Sequence, residues 1–179
     1  MNKTSSVKRA AITALCIALC YVLPLVFHAT GLGSAFSPMH IPVLLCGLIC
    51  GSGYGIFCGI AGPVLSSVLS GMPPMTRLVY FVPELVIYGF VTGLMMKLVR
   101  SKKLLPDLYI SLIVAMVLGR IVGGTVEALI YLGSGTPFTI AAIAAGYFVT
   151  SMPGILCHLI VIPILVATLM KAKLIPARY

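Results

Sequence analysis

Apolar residues fill six long stretches of the chain, and short breaks rich in Gly, Pro, Ser or basic residues separate them. Within the stretches the apolar positions run on all sides, with neither a 3.6-residue stripe nor a two-residue alternation. A helix that is hydrophobic all round belongs in lipid or in a large core. The pattern predicts a first helix over Ala10–His28, with Pro24 kinking it near its outer end. A second over Met39–Cys50 is short for a full crossing. A tight turn at Gly51-Ser52-Gly53 leads into a third over Tyr54–Leu69, so that the second and third form a hairpin with its turn inside. A fourth over Leu78–Val99, a fifth over Asp107–Leu132 and a sixth over about Ile140–Met170 complete the set. Pro153 and Pro163 are expected to kink the sixth. The connections Ala29–Pro38, Ser70–Thr76 and Gly133–Thr139 are rich in Gly, Pro, Ser and Thr.

Composition turns this pattern into a fold class. Of 179 residues, 60% are hydrophobic and 8% charged, and mean hydropathy is +1.17. Soluble domains carry about 25% charged residues, so this surface cannot face water. Several runs approach the ~20 apolar residues that cross a bilayer, leaving no room for a second, soluble domain. The expectation is an all-α integral membrane protein: one domain over 1–179, a bundle of six transmembrane helices. The first run follows Lys8 and Arg9 and could mimic a signal peptide. Ala29-Thr30-Gly31 makes a weak cleavage site, and further apolar segments follow at once, so the run reads as a retained helix.

Net charge is +9, and ten of the twelve Lys and Arg fall in three places: Lys3, Lys8 and Arg9; Lys97, Arg100, Lys102 and Lys103; Lys171, Lys173 and Arg178. The positive-inside rule puts all three on the cytoplasmic side, with both termini. Clustering at membrane flanks argues against nucleic acid as a partner. The loops after the first, third and fifth helices then face outward.

Setting these clusters and Asp107 aside leaves four charges inside the membrane: Arg77, Glu84, Arg120 and Glu127. Each costs roughly 2.5–3.5 kcal/mol at mid-bilayer on an insertion scale, so each is paired or functional. Arg77 and Glu84 are seven apart, as are Arg120 and Glu127, which is about two helical turns. Two neutralising Arg–Glu pairs across the fourth and fifth helices are one reading. Presentation of an arginine fork to a ligand carboxylate is another, compatible with the first. Tyr88 and Tyr131 follow Glu84 and Glu127 by one turn and face the same region; an interfacial aromatic belt is the plainer alternative. His40, where the first loop enters the second helix, is the histidine best placed for function. His158 reads as packing, and His28 as interfacial. Trp and Gln are absent and Asn2 is the sole Asn, so a polar ligand must be held by these charges, His, Ser, Thr, Tyr, sulfurs or backbone. The six Cys lie in apolar segments without a CxxC pair, which favours packing over disulfides or metal.

Ala10, Ala14 and Ala18 form a small-residue stripe on the first helix, and Gly47, Gly51, Gly55 and Gly59, with Gly119 and Gly123, repeat the spacing. In lipid such stripes let helices approach closely. The glycines suit packing inside the bundle, and the Ala stripe suits a docking partner. No HExxH, GxSxG or Gly-Lys-Ser/Thr motif is present, so neither an intramembrane enzyme nor a nucleotide site is expected.

Together these residues resemble a known family. The basic N-terminus with the Ala10/Ala14/Ala18 stripe, the segment FSPMHIPVLLCGLICG over Phe36–Gly51, the stretch Gly71-Met-Pro-Pro74, and Pro83-Glu84 with Tyr88-Gly89 are similar to the substrate-binding S component of energy-coupling factor (ECF) vitamin transporters. Within that family the chain resembles the branch assigned to pantothenate, whose carboxylate Arg120 or Arg77 could meet; a pyrimidine, a pyridoxine-like ring or another acid stays open as the ligand. The resemblance implies a multi-pass protein of the bacterial cell membrane that captures one vitamin or precursor at the outer side. It also implies a transmembrane coupling subunit, docked on the first helix, and two ATPase subunits as partners, and no cofactor.

The resemblance assigns no site residue; the candidates His40, Arg77, Glu84, Tyr88, Arg120, Glu127 and Tyr131 rest on polarity and depth. The expected pocket lies between the fourth, fifth and sixth helices under the outer loops. Arg120 would anchor an anion, Glu84 and Glu127 would orient the arginines or accept hydroxyls, and Tyr88 and Tyr131 would pack on the ligand's apolar part. An ion-gradient-driven carrier using Glu84 and Glu127, or a scaffold with purely structural charges, remain open from the residues alone.

Overall fold

A computed structural model describes residues 6–29, 36–101, 103–135 and 139–175. Lys3, Lys102, Arg178, the side chain of His28 and parts of two expected outer loops (30–35 and 136–138) lie outside the described residues. The chain is helical: α1 (Ser6–Ala29), α2 (His40–Cys50), α3 (Ser52–Ser70), α4 (Met75–Leu98), α5 (Leu104–Ser134), α6 (Ile140–Ala144) and α7 (Met152–Lys171), with a π-helical turn over Ala145–Thr150 joining the last two. Five spans are long and apolar enough to cross a membrane, the last running from Ile140 to Lys171. α2 is the short sixth member; eleven residues rise only about 16 Å.

Each helix begins or ends where local chemistry requires. Gly51 alone separates α2 from α3, at a φ of 97° closed to most side chains, so the expected three-residue turn contracts to one residue. α3 and α5 end on left-handed glycines, Gly71 and Gly135. Pro106 sits in the first turn of α5, where a backbone N–H has no partner to lose. Where a kink was expected at Pro153, the last span changes from a π turn (Ala145–Thr150) through Ser151 to α7, with Pro153 in its first turn.

The turn between α2 and α3 lies at the basic end of the bundle. The Cys50 thiol faces the Arg9 carbonyl at 3.6 Å, and Gly93 of α4 presses on the Gly51–Ser52 backbone. α2, α3 and α4 pack backbone to backbone. Side chains at Gly47, Gly55, Gly59 or Gly89 would collide with the neighbouring main chain, which is how helices associate closely in lipid. Val43, Leu44, Cys46, Cys58, Leu85, Leu108, Leu112 and Ile162 fill the core. Phe57, Val68, Ile113, Leu129, Ile160 and Ile164 stand exposed, as lipid-facing side chains must. On α1, Thr13, Cys16 and Cys20 turn inward, while Ala10, Ala14 and Ala18 are exposed.

Candidate functional site

At the end opposite the basic turn, the bundle forms an open cavity of about 1280 Å³. Ser37–Met39, Gly71–Pro74 and Thr139 contribute to its wall, so the connections after α1, α3 and α5 all reach it. One of them is pinned in place: Ser66 and Ser67 of α3 donate to the carbonyls of Met72 (2.6 Å) and Pro73 (2.7 Å).

α4 supplies one polar wall in order of depth. Arg77, in its first turn, is exposed; Tyr80 and Phe81 follow; Glu84 is buried, seven residues or about 10 Å deeper. α5 runs antiparallel alongside, with Tyr131 and Glu127 towards the rim and Arg120 at depth. Gly123 is what lets the two walls meet there, because a Cβ at that position would stand 3.0 Å from Glu84 Cβ and 3.2 Å from its Oε2. Gly119 likewise makes room for the Tyr88 ring.

Glu84 is the hub of the inner wall. Tyr88 donates its hydroxyl to Glu84 Oε1 at 2.7 Å. His40 Nε2 faces the same oxygen at 3.4 Å, and His40 Nδ1 lies 2.9 Å from the Ser37 carbonyl. A carbonyl only accepts, so Nδ1 carries a proton. Phe81, Tyr88 and His158 surround the His40 ring at centroid distances of 5.3, 5.1 and 5.7 Å.

Arg120 is 4% exposed. Its Nη1 donates to the Tyr147 carbonyl and to Ser151 Oγ, both on the last span. Tyr147 lies within the π turn, and such turns are frequent at functional sites. Arg120 Nε and both ring nitrogens of His158 are buried without a hydrogen-bond partner among the described residues.

Six of the seven candidate site residues therefore line one cavity: His40, Arg77, Glu84, Arg120, Glu127 and Tyr131. Tyr88 does not. It is fully buried behind the wall, so its expected packing on a ligand gives way to a bond that holds Glu84. The reading of two Arg–Glu pairs is not what forms: among the described residues neither arginine is within ion-pair distance of a carboxylate, and Glu84 takes His40. The sequence reading passed over Tyr147 and Ser151. A Gly, a Ser and a Pro near the middle of one apolar run (Gly146, Ser151, Pro153) were the available sign of an interrupted helix.

No curated protein and no solved structure matches the chain. The model of the family described as ECF transporter, substrate-specific component, matches residues 8–173, and the chain belongs to that family: it is a substrate-binding subunit of a transporter and not an enzyme.

Proposed function

We propose that this subunit captures a small monoanionic vitamin, pantothenate being the best fit, in the cavity at the outer face of a bacterial cell membrane. The observation that carries this reading is the pair of guanidiniums in the cavity wall: Arg77 and Arg120 both line it, and among the described residues neither is within ion-pair distance of a carboxylate. Among partly dehydrated walls a cation without a close counter-charge is costly until an anion joins it. Pantothenate brings one carboxylate, two hydroxyls and a gem-dimethyl group, and the wall offers arginines, carboxyl oxygens, and the rings of Phe81, Tyr131 and Tyr147.

The orientation follows from the positive-inside rule: Lys8, Arg9, Lys97, Arg100, Lys103, Lys171 and Lys173 mark the cytoplasmic end, opposite the cavity. Energy comes from partners, a transmembrane coupling subunit and two ATPases. The exposed Ala10/Ala14/Ala18 face of α1 is the docking surface for the coupling subunit.

Uptake of labelled pantothenate into proteoliposomes tests the proposal. With the energising module, uptake requires ATP; without it, binding persists and uptake stops. Uptake driven by an ion gradient alone would instead identify an autonomous carrier, and absence of any ligand would favour a scaffold.

A further inference from the structure

The two arginines of the cavity are not equivalent. Arg120 is held at depth by the Tyr147 carbonyl, within the π turn, and by Ser151 Oγ, just after it. Arg77 stands exposed at the rim, one turn into α4, within ion-pair distance of no carboxylate among the described residues. Between them the wall changes character. Glu84 uses Oε1 for both Tyr88 and His40, and its Oε2 faces the gap left by Gly123. Among the described residues no hydrogen bond to that oxygen is recorded, and Glu84 lines the cavity, so it is the carboxyl oxygen left to accept a ligand's O–H or N–H. Seven residues of α4 separate this acceptor from Arg77, a rise of about 10 Å, which an extended pantothenate molecule can bridge.

We infer that the cavity is bipolar. Arg77 at the rim takes the ligand's carboxylate, Glu84 with His40 at depth takes its hydroxyl end, and Arg120 is a positioning residue that clamps the π turn of the last span against α5. The inference rests on the capture of a pantothenate-like acid proposed above and adds the ligand's direction. Of the two arginines that the sequence left open as partners of a carboxylate, it selects Arg77 over Arg120. A carboxylate entering from outside meets the exposed fork of Arg77 first, whereas Arg120 is 4% exposed and already ties α5 to the last span through Nη1. Ser151, which no sequence motif singles out, becomes a specificity-supporting residue because it fixes where Arg120 closes the inner end.

The test compares two probes, pantothenate and panthenol, the alcohol that carries a hydroxymethyl group in place of the carboxylate, on the whole purified protein in detergent. Wild-type protein should bind the acid more tightly than the alcohol by about tenfold or more, the value of a charge-assisted contact. Arg77→Met should erase that preference by weakening the acid alone. Glu84→Gln and Ser151→Ala should weaken both probes by the same factor and keep the preference. Because each variant is read as a ratio of two ligands, partial loss of folded protein does not disturb the result. A wild-type protein that binds acid and alcohol equally, or an Arg77→Met variant that keeps the preference while Arg120→Met loses it, overturns the bipolar assignment and leaves capture intact. Binding of neither probe by wild-type protein defeats the capture reading as well.

Discussion

Tyr88 reaches back one turn along α4 and donates its hydroxyl to Glu84 Oε1 across 2.7 Å. The bond lies behind the cavity wall, so it sets the direction of the carboxyl without occupying ligand space. Tyr88→Phe keeps the ring that fills the Gly119 gap and removes the donor alone. Hydrogen bonds to charged groups contribute roughly 1.5–3 kcal/mol. Pantothenate affinity measured by calorimetric titration should fall about tenfold or more, with the oligomeric state unchanged. Wild-type affinity in this variant would remove Glu84 from the ligand's contacts.

The packing of α3 against α4 gives a prediction about stability. Gly89 faces Gly55 so closely that a Cβ would strike its backbone, whereas Gly53 has open space beside it. Forced overpacking costs typically about 1–3 kcal/mol. Gly89→Ala should lower the thermal midpoint in detergent clearly, and Gly53→Ala should barely move it. Equal effects would mean that the helices stand further apart.

His158 makes the opposite case. It is 1% exposed, and neither ring nitrogen has a partner among the described residues. A buried polar group without a partner costs about 1–3 kcal/mol. Replacing it with an apolar ring, His158→Phe, should leave the thermal midpoint unchanged or raise it. A marked loss of stability would show that the imidazole is hydrogen-bonded in the membrane.

The stripe on α1 separates binding from transport. Ala10, Ala14 and Ala18 are exposed, on the face opposite Cys16 and Cys20. Ala14→Phe should leave ligand affinity within about twofold, and co-purification with the coupling subunit should drop sharply, because a large side chain prevents close helix approach. Undiminished co-purification would place the docking surface elsewhere.

Long apolar runs made the helices readable from sequence, because lipid imposes one requirement on every residue of a span. Hence α4 and α5 begin and end within three residues of the expected bounds. The internal role of Gly47, Gly55, Gly59, Gly119 and Gly123 was also legible from spacing. Partnerships were not. Seven-residue spacing suggested that Glu84 answers an arginine, yet its partner His40 is 44 positions away, brought there by the α2–α3 hairpin. The π turn was hidden for a similar reason. Gly146 and Pro153 mark a weak point in the last span, but the contact there is made by Arg120 on α5, which donates to the Tyr147 carbonyl. Such contacts depend on how helices meet, which local periodicity does not encode.

Substrate capture without partners is tested most directly by mass spectrometry of small molecules released on denaturing the purified protein, expressed without an energising module in medium containing pantothenate. Capture in the cavity predicts one equivalent of pantothenate per chain from wild-type protein, and little from a folded Arg77→Met variant. A folded wild-type protein that releases no small acid, and then takes up none on incubation with pantothenate, would contradict it.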